Sequence, residues 1–329
     1  MKSMRPTNVM SNSKYVKAMM QYLVILLDDT SVSYCHCDNP YTEQKLIGID
    51  DLKAGILYAM KENLMIQFVY PDYELPKKYL DVIDTIDHHD IVPYPMKGDV
   101  VVYTPQSLRD SSPTLGEQQA DTVAVLRCGK EELFGSGNTI AKMLRNVQRL
   151  NVIVTDLETF TDEDLKRYDV LLDQWMVMLK EEYLNGRAPQ LNLLTDRMML
   201  TKPNHCNAGV ENITLAPNGH FYHCPAFYYS DPADSIDPQN IPNQQLLRLD
   251  HSPLCRHCDA YHCRRCVWLN RKTTLEVNTP SHEQCIVAHT ERNASRRLLA
   301  SIREVGDFMP EVEIKEINYI DPFEVRKEW

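Results

Sequence analysis

Seven of the chain's ten cysteines fall between Cys206 and Cys285, and four of them crowd into twelve residues, CRHCDAYHCRRC at 255–266. No other feature limits the possible folds so strongly. Thiols at this density are held by something: disulfides, a zinc ion or iron–sulfur clusters. The array starts with Cys206, twelve residues, Gly219, four residues and Cys224. It continues as Cys255-x2-Cys258-x4-Cys263-x2-Cys266 and ends at Cys285 after eighteen residues. A two-residue spacer lets both sulfurs of a CxxC pair converge on one ion or cluster. Seven thiolates are too many for one tetrahedral zinc, which takes four ligands. Two sites are required, one complete and one with three cysteines and a fourth ligand from elsewhere.

Charge and compartment narrow the choice of what holds the thiols. The 329 residues carry a formal net charge of −11, with 35 Lys plus Arg against 46 Asp plus Glu. That balance argues against a broad nucleic-acid-binding surface, which needs a positive footprint. The longest apolar runs, such as YLVILL (22–27), fall far short of the roughly 18 residues of a membrane span. Residues 1–20 have no apolar signal-peptide core. They read as a disordered extension, with Met19 or Met20 as a candidate natural start. The expected location is therefore cytoplasmic, where thiols stay reduced and clustered cysteines act as metal ligands. Disulfides become the least favoured answer.

Upstream of the array, short apolar runs alternate with amphipathic stretches. The runs are YLVILL (22–27), LMIQFVY (64–70), DIVPY (90–94), DVVVY (99–103), TVAVL (122–126), NVIVT (151–155) and QLNLL (190–194). Near-continuous apolar character suits strands buried on both faces of a parallel sheet. Helices are predicted at about 50–63, 138–149 and 162–185. The last starts with a capping-box pair, Thr161 and Asp164, and carries a stripe of Leu165, Tyr168, Leu172, Trp175, Leu179 and Tyr183, with Gly186 at its C-terminal end. Repeated strand–helix–strand units mean parallel α/β. About 180 residues are too few for an eight-fold barrel of ~250, so an open sheet or partial barrel is expected. Within ITLAPNGHFYHC (213–224) the spacing predicts a hairpin, its turn at 217–219, which carries Cys224 back towards Cys206. A polar loop at 228–245 and a helix at about 283–305 follow.

These residues carry a family resemblance. C-x12-G-x4-C, then the two CxxC pairs and a lone distal cysteine, resembles the SPASM domain, the twin-cluster C-terminal module of many radical SAM peptide-modifying enzymes. The family's central spacing is C-x2-C-x5-C-x3-C; here both later gaps are one residue shorter. The upstream region also resembles the partial (β/α)6 barrel that precedes SPASM in such enzymes. The likeness spans roughly residues 21–290. It implies a partial (β/α)6 radical-SAM-like barrel at 21–200, an iron–sulfur SPASM domain at 201–290 and a C-terminal helix and tail at 291–329. It also implies two [4Fe–4S] clusters. By analogy Cys255, Cys258, Cys263 and Cys285 hold one, and Cys206, Cys224 and Cys266 hold the other. One iron of the second is left for a non-cysteine ligand, water or substrate. The basic residues woven through, Arg256, His257, Arg264 and Arg265, offset cluster charge or simply form a local basic patch.

Half of the radical SAM pattern is missing. The family's C-x3-C-x2-C triplet belongs in the loop after the first strand, where this chain reads DDTSVSYCHCDNP. If Cys35 is the last of the triplet, the other positions hold Asp28 and Val32; if Cys37 is last, they hold Thr30 and Tyr34. The Gly-Gly-Glu segment expected after the second strand is replaced by FVYPDYELP (68–76). Both losses imply that S-adenosylmethionine (SAM) is not cleaved. A SPASM array joined to such a barrel resembles the CXXX repeat peptide maturases, which implies a cysteine-rich, ribosomally made precursor peptide as substrate and a possible partner modification enzyme. Cys35 and Cys37 are candidates for a substrate-exchanging thiol pair, or a remnant ligand set, or two ordinary loop thiols.

Three weaker signals have plainer explanations beside their functional ones. GSGNTIAK (135–142) is a phosphate-loop candidate or a plain helix start. DHHD (87–90) offers metal ligands or a solvated turn before a strand. Cys128 stands alone and reads as a small buried hydrophobe. Two alternatives to a maturase are carried forward: a peptide-recruiting protein with structural clusters, and a zinc-binding nucleic-acid module suggested by CRRCVWLNRK.

Overall fold

The computed structural model describes residues 20–110, 122–135 and 137–315. The proposed extension (all but Met20) and most of the C-terminal tail lie outside the described residues. Nine strands form one sheet in the order β7-β6-β5-β4-β3-β2-β1-β8-β9. In chain order they are β1 Tyr22–Leu26, β2 Met65–Val69, β3 His88–Pro93, β4 Val100–Tyr103, β5 Val123–Cys128, β6 Arg149–Val154, β7 Gln190–Leu191, β8 Asn212–Leu215 and β9 Phe221–Tyr222. Every pairing from β7 through β8 is parallel, and β8 pairs with β9 antiparallel.

The apolar runs become strands because helices and a second apolar layer cover both faces of the sheet. Leu23, Ile25 and Leu26 of β1 are fully buried, as are Val101 of β4 and Ala124 of β5. The expected parallel α/β architecture is present. The helix Asp162–Leu184 carries the capping box: Thr161 Oγ1 accepts from the Asp164 main chain, and the Asp164 carboxylate accepts from the Thr161 main chain. Its buried face contains Tyr168, Leu172, Trp175 and Leu179 with Leu171 and Met178 added, while Leu165 and Tyr183 are half-buried.

Some local expectations need correcting. The QLNLL run is a strand only at Gln190–Leu191, because its main chain then turns into the short helix Asp196–Met199. The predicted 138–149 helix is the second of two, Lys130–Gly135 and Gly137–Asn146, and Arg149 already belongs to β6. Gly135 thus ends the first of these helices and Gly137 opens the second, which matches the plain helix start among the described residues. DHHD is not a turn: His88 opens β3, with His88 Nε2 3.4 Å from Asp90 Oδ1 and His89 Nδ1 3.4 Å from Asp99 Oδ2.

The placement of β8 matters most for function. The hairpin forms as expected, with Gly219 left-handed (φ 79°) at its turn. Its first strand, however, adds to the barrel sheet in parallel beside β1, with Leu23 opposite Ile213 and Ile25 opposite Leu215. The segment between Cys206 and Cys224 is thereby fixed to the first barrel strand by main-chain hydrogen bonds. On the outside, the helix His282–Arg303 packs on Asp162–Leu184, joined by Arg297 to Asp169 at 2.6 Å and to Asp173 at 2.8 Å. Among the described residues no helix is long and apolar enough to cross a membrane.

Candidate metal centres and the barrel mouth

Four thiols line one cavity of about 210 Å³: Cys255, Cys258, Cys263 and Cys285. These are the four that the family likeness groups together. Cys255 opens a short 3-10 turn, Cys255–His257, and Cys258 closes it, and both residues line the cavity. Cys285 reaches the cavity from the first turn of the helix His282–Arg303. Burial pushes the Cys255 thiol up to about 11, partly opposed by Arg265, and pushes Cys263 higher still, reinforced by Cys255. Thiols gathered in this way stay protonated and mutually unfavourable as thiolates until a cation joins them.

The second CxxC is split between two groups. Cys263 neighbours Cys255 and Cys258, whereas Cys266 neighbours Cys206 and Cys35. Cys263 lines the cavity and Cys266 is not among its lining residues; Arg265 between them adopts a left-handed main chain (φ 42°). Its guanidinium, 1 % exposed, donates to Ser252 Oγ and to Leu247 O. It lies among Cys255, Cys263 and Cys206, a buried cation between the two thiol groups. Of the four basic residues noted in the sequence, Arg256 and His257 are exposed, so only part of the set is a surface patch.

Cys206, Cys224 and Cys266 form the second group. Burial pushes Cys224 far above its usual value, and the Cys35, Cys266 and Cys206 sulfurs raise it further. Burial likewise takes Cys266 up to about 12. Cys224 caps the helix Pro225–Ser230, and Cys266 caps Val267–Thr274, its sulfur accepting from the Leu269 main chain at 3.4 Å. None of the ten cysteines is in a disulfide. Among the described residues no group of three or more His, Cys, Asp or Glu side chains is arranged to hold a metal ion as the chain stands. A single zinc draws its sulfurs to about 2.3 Å, whereas a four-iron cluster takes one thiolate on each iron and so accepts a wider set. The donors, all sulfur and grouped four and three with a buried arginine between, fit iron–sulfur clusters.

Salt bridges secure the cysteine loop to the rest of the molecule. Arg292, fully buried on the His282–Arg303 helix, makes a two-pronged contact with Asp259, the residue after Cys258, at 2.9 and 2.8 Å. Arg197 adds a contact to Asp259 at 3.4 Å and lies over the Tyr261 ring, 4.5 Å from its centre. Glu291 bridges two partners, taking a hydrogen bond from Tyr168 at 2.5 Å and contacting His262 Nε2 at 3.1 Å.

At the mouth of the barrel, the loop after β1 is filled in. Asp28, at one of the vacant ligand positions, is fully buried and accepts from Thr30 and from Tyr73 at 2.8 Å. Tyr73 lies in the segment that replaces Gly-Gly-Glu, so the two departures from the family pattern touch one another. Arg127, the lone charged residue of β5, donates to Cys35 O at 2.7 Å, Cys37 O at 3.0 Å and Asp38 Oδ1 at 2.8 Å. His36 Nδ1 lies 2.8 Å from Val154 O. Cys37 is buried, its sulfur 3.9 Å from both Ala226 O and Ser230 Oγ. Cys35, half-buried by surface, is pushed up to about 12 by surrounding protein, against the pull of Arg127. The Cys37 sulfur thus faces the Pro225–Ser230 helix. With two thiols, Cys35 and Cys37, the loop has fewer donors than the three-thiolate SAM-binding cluster takes. Cys128 is buried at the end of β5, as expected of a small hydrophobe.

No protein-family profile and no curated protein sequence matches the chain. Solved structures do match. The anaerobic sulfatase-maturating enzyme anSMEcpe, carrying a polyhistidine tag and with bound AdoMet, superposes with a TM-score of 0.57 at 11 % identity, covering 88 % of this chain and 97 % of that one. The fold is of the radical SAM–SPASM type. Native anSMEcpe with bound AdoMet gives 0.55 at 10 % identity over 87 % of this chain and all (100 %) of that one. The same enzyme with AdoMet and the Cp18Cys peptide gives 0.55 at 12 % identity, with the same coverage of both chains, 87 % and 100 %.

Arg127 and the Asp259–Arg292 pair were not found from the sequence, where Arg265 was noted only as one of four basic residues among the thiols. Arg127 had one signal, a lone arginine inside the apolar run TVAVLRC. The Asp259–Arg292 pair had none, since its members lie 33 residues apart.

Proposed function

We propose that this chain is an iron–sulfur peptide-modifying protein, a maturase or its redox component, carrying two [4Fe–4S] clusters and not cleaving SAM. The observation that carries it is the single cavity lined by Cys255, Cys258, Cys263 and Cys285, in a fold shared with an enzyme solved with a bound peptide. Those four thiols hold the first cluster. Cys206, Cys224 and Cys266 hold the second, and Arg265 between them offsets the negative charge of both. The clusters supply one-electron chemistry or a hold on sulfur. The protein supplies the thiols, the buried cation and the clamps that keep the cysteine loop in place. The substrate is a ribosomally made cysteine-repeat precursor peptide, as the likeness to the CXXX repeat peptide maturases implies. The loss of SAM cleavage rests on the missing C-x3-C-x2-C triplet and Gly-Gly-Glu segment, where at the mouth Asp28 instead accepts from Tyr73 and Arg127 holds the Cys35 and Cys37 carbonyls.

The same mouth favours a second reading, a peptide-recruiting protein whose clusters are structural staples. Incubating the anaerobic protein with a synthetic cysteine-repeat peptide, with reductant and with or without SAM, separates the two. A reproducible, SAM-independent mass change in the peptide supports the maturase. Tight binding with no mass change supports the recruiter. Neither binding nor modification contradicts both.

A further inference from the structure

We infer that the His289 imidazole donates a hydrogen bond to the Cys258 sulfur of the first cluster and raises that cluster's reduction potential. This rests on the two-cluster reading and deepens it, because that reading names the thiols and not what tunes them.

The helix His282–Arg303 presents three side chains to the cysteine loop from one face. Cys285, His289 and Arg292 stand four and then three residues apart, the spacing that stacks side chains along one side of a helix. Cys285 and His289 both line the cavity of the first thiol group. Arg292 forks onto Asp259 at 2.9 and 2.8 Å, which fixes the loop one residue beyond Cys258. With the loop held there, His289 Nε2 lies 3.3 Å from Cys258 Sγ, within hydrogen-bond reach of a sulfur. The histidine is 4 % exposed, so water has little access to the contact. The Ala260 main-chain N–H donates to the same sulfur at 3.4 Å.

A free Cys258 thiol can donate its own S–H to the ring. A sulfur bound to iron is a thiolate, which only accepts, so the ring must then donate through Nε2–H. A donor at a cluster sulfur draws electron density from it and favours the form with one more negative charge. Hydrogen bonds to the sulfurs are among the factors that set cluster potentials. The reduced first cluster is therefore stabilised more than the oxidised one, and its potential lies above that of the same thiols without the ring. The electron enters the cluster while the proton stays on Nε2, so no proton is transferred. His289 is a tuning residue; it neither ligates iron nor touches substrate.

The test uses the full chain purified anaerobically, as wild type, His289→Phe and His289→Gln. Phenylalanine keeps a ring and removes the donor, whereas glutamine returns an amide N–H near the lost one. Each protein is titrated with reductant in the presence of redox mediators and followed by electron paramagnetic resonance. In His289→Phe one of the two signals should become harder to reduce by about tenfold in equilibrium constant, ~59 mV for a one-electron couple. His289→Gln should recover most of that shift, and the other signal should keep its wild-type potential in both variants. Should His289→Phe fail to fold, wild type grown on histidine carrying the heavy nitrogen isotope decides. Pulsed resonance should then show the weak nitrogen coupling of a hydrogen bond, lost in His289→Gln. Wild-type potentials in His289→Phe, an equal shift of both signals, no histidine coupling, or the strong coupling of an iron ligand each overturn the assignment and leave two clusters standing. A wild type with a single reducible cluster or none overturns the assignment and the two-cluster reading together.

Discussion

The guanidinium of Arg127 donates to the main-chain oxygen of Cys35 at 2.7 Å, tying the end of β5 to the loop that follows β1. A second bond to Cys37 O, at 3.0 Å, makes the guanidinium a strap across the barrel mouth. The contact to Asp38 adds little, because that carboxylate is 81 % exposed. Replacing Arg127 by Met keeps most of the volume and orphans the two carbonyls. Hydrogen bonds from a charged donor are worth about 1.5–3 kcal/mol each, so Arg127→Met should lose roughly 2–4 kcal/mol in urea unfolding of the anaerobic protein. A loss below about 0.5 kcal/mol would show that the strap does not hold the loop.

The Asp259–Arg292 pair should govern how firmly the first thiol group keeps its iron. Arg292 is fully buried, and its fork holds the residue adjoining Cys258. Removing one partner of a buried pair costs about 3–5 kcal/mol; Asp259 is partly exposed, so the lower end or less applies to Arg292→Met. The measurable consequence is faster bleaching of the brown chromophore under a chelator. Equal bleaching rates in variant and wild type would contradict the clamp.

Asp164 gives a pH signature unconnected with metal. Hydrogen bonds from the Thr161 main chain and from Lys130, at 3.0 Å each, hold its carboxyl down to about 2. An unperturbed aspartate sits near ~3.9. A depressed folded-state value stabilises above the unfolded value and is lost as pH falls through the folded one. The Tm difference between wild type and Asp164→Asn should therefore be full at pH 5–7, shrink below about pH 4 and vanish near pH 2. A difference that does not change with pH would refute it.

Gly209 tests the turn between Cys206 and β8. Its φ is +75°, and an added Cβ would lie 2.5 Å from Leu247 Cδ1 and 2.6 Å from His223 Cδ2. Left-handed strain costs about 1–2 kcal/mol and overpacking about 1–3 kcal/mol. Gly209→Ala should lose roughly 2–4 kcal/mol by these two effects. A stability change within about 0.5 kcal/mol would show that the turn relaxes freely.

Much of this architecture was legible from local pattern. The seven barrel runs, the Asp162–Leu184 helix with its cap, and the hairpin turn at Gly219 follow from periodicity and turn chemistry that neighbouring residues impose. The grouping of Cys255, Cys258, Cys263 and Cys285 was legible through the family likeness. The CxxC rule alone would have kept Cys263 with Cys266. The left-handed Arg265 lies between them, and nothing near it in sequence favours that conformation. The pairing of β8 with β1 joins residues about 190 apart, a contact set by tertiary packing. Arg127 and Tyr73 fill the mouth through partners 92 and 45 residues away. The absent ligands were visible in the sequence; what took their place was not.

The central claim is that two iron–sulfur centres sit at the two thiol groups. Anomalous scattering at the iron edge, from crystals grown without oxygen, measures that directly. The account predicts two separate iron densities, one in the cavity of Cys255, Cys258, Cys263 and Cys285, the other at Cys206, Cys224 and Cys266. No iron density, zinc at either place, or a single centre would contradict it.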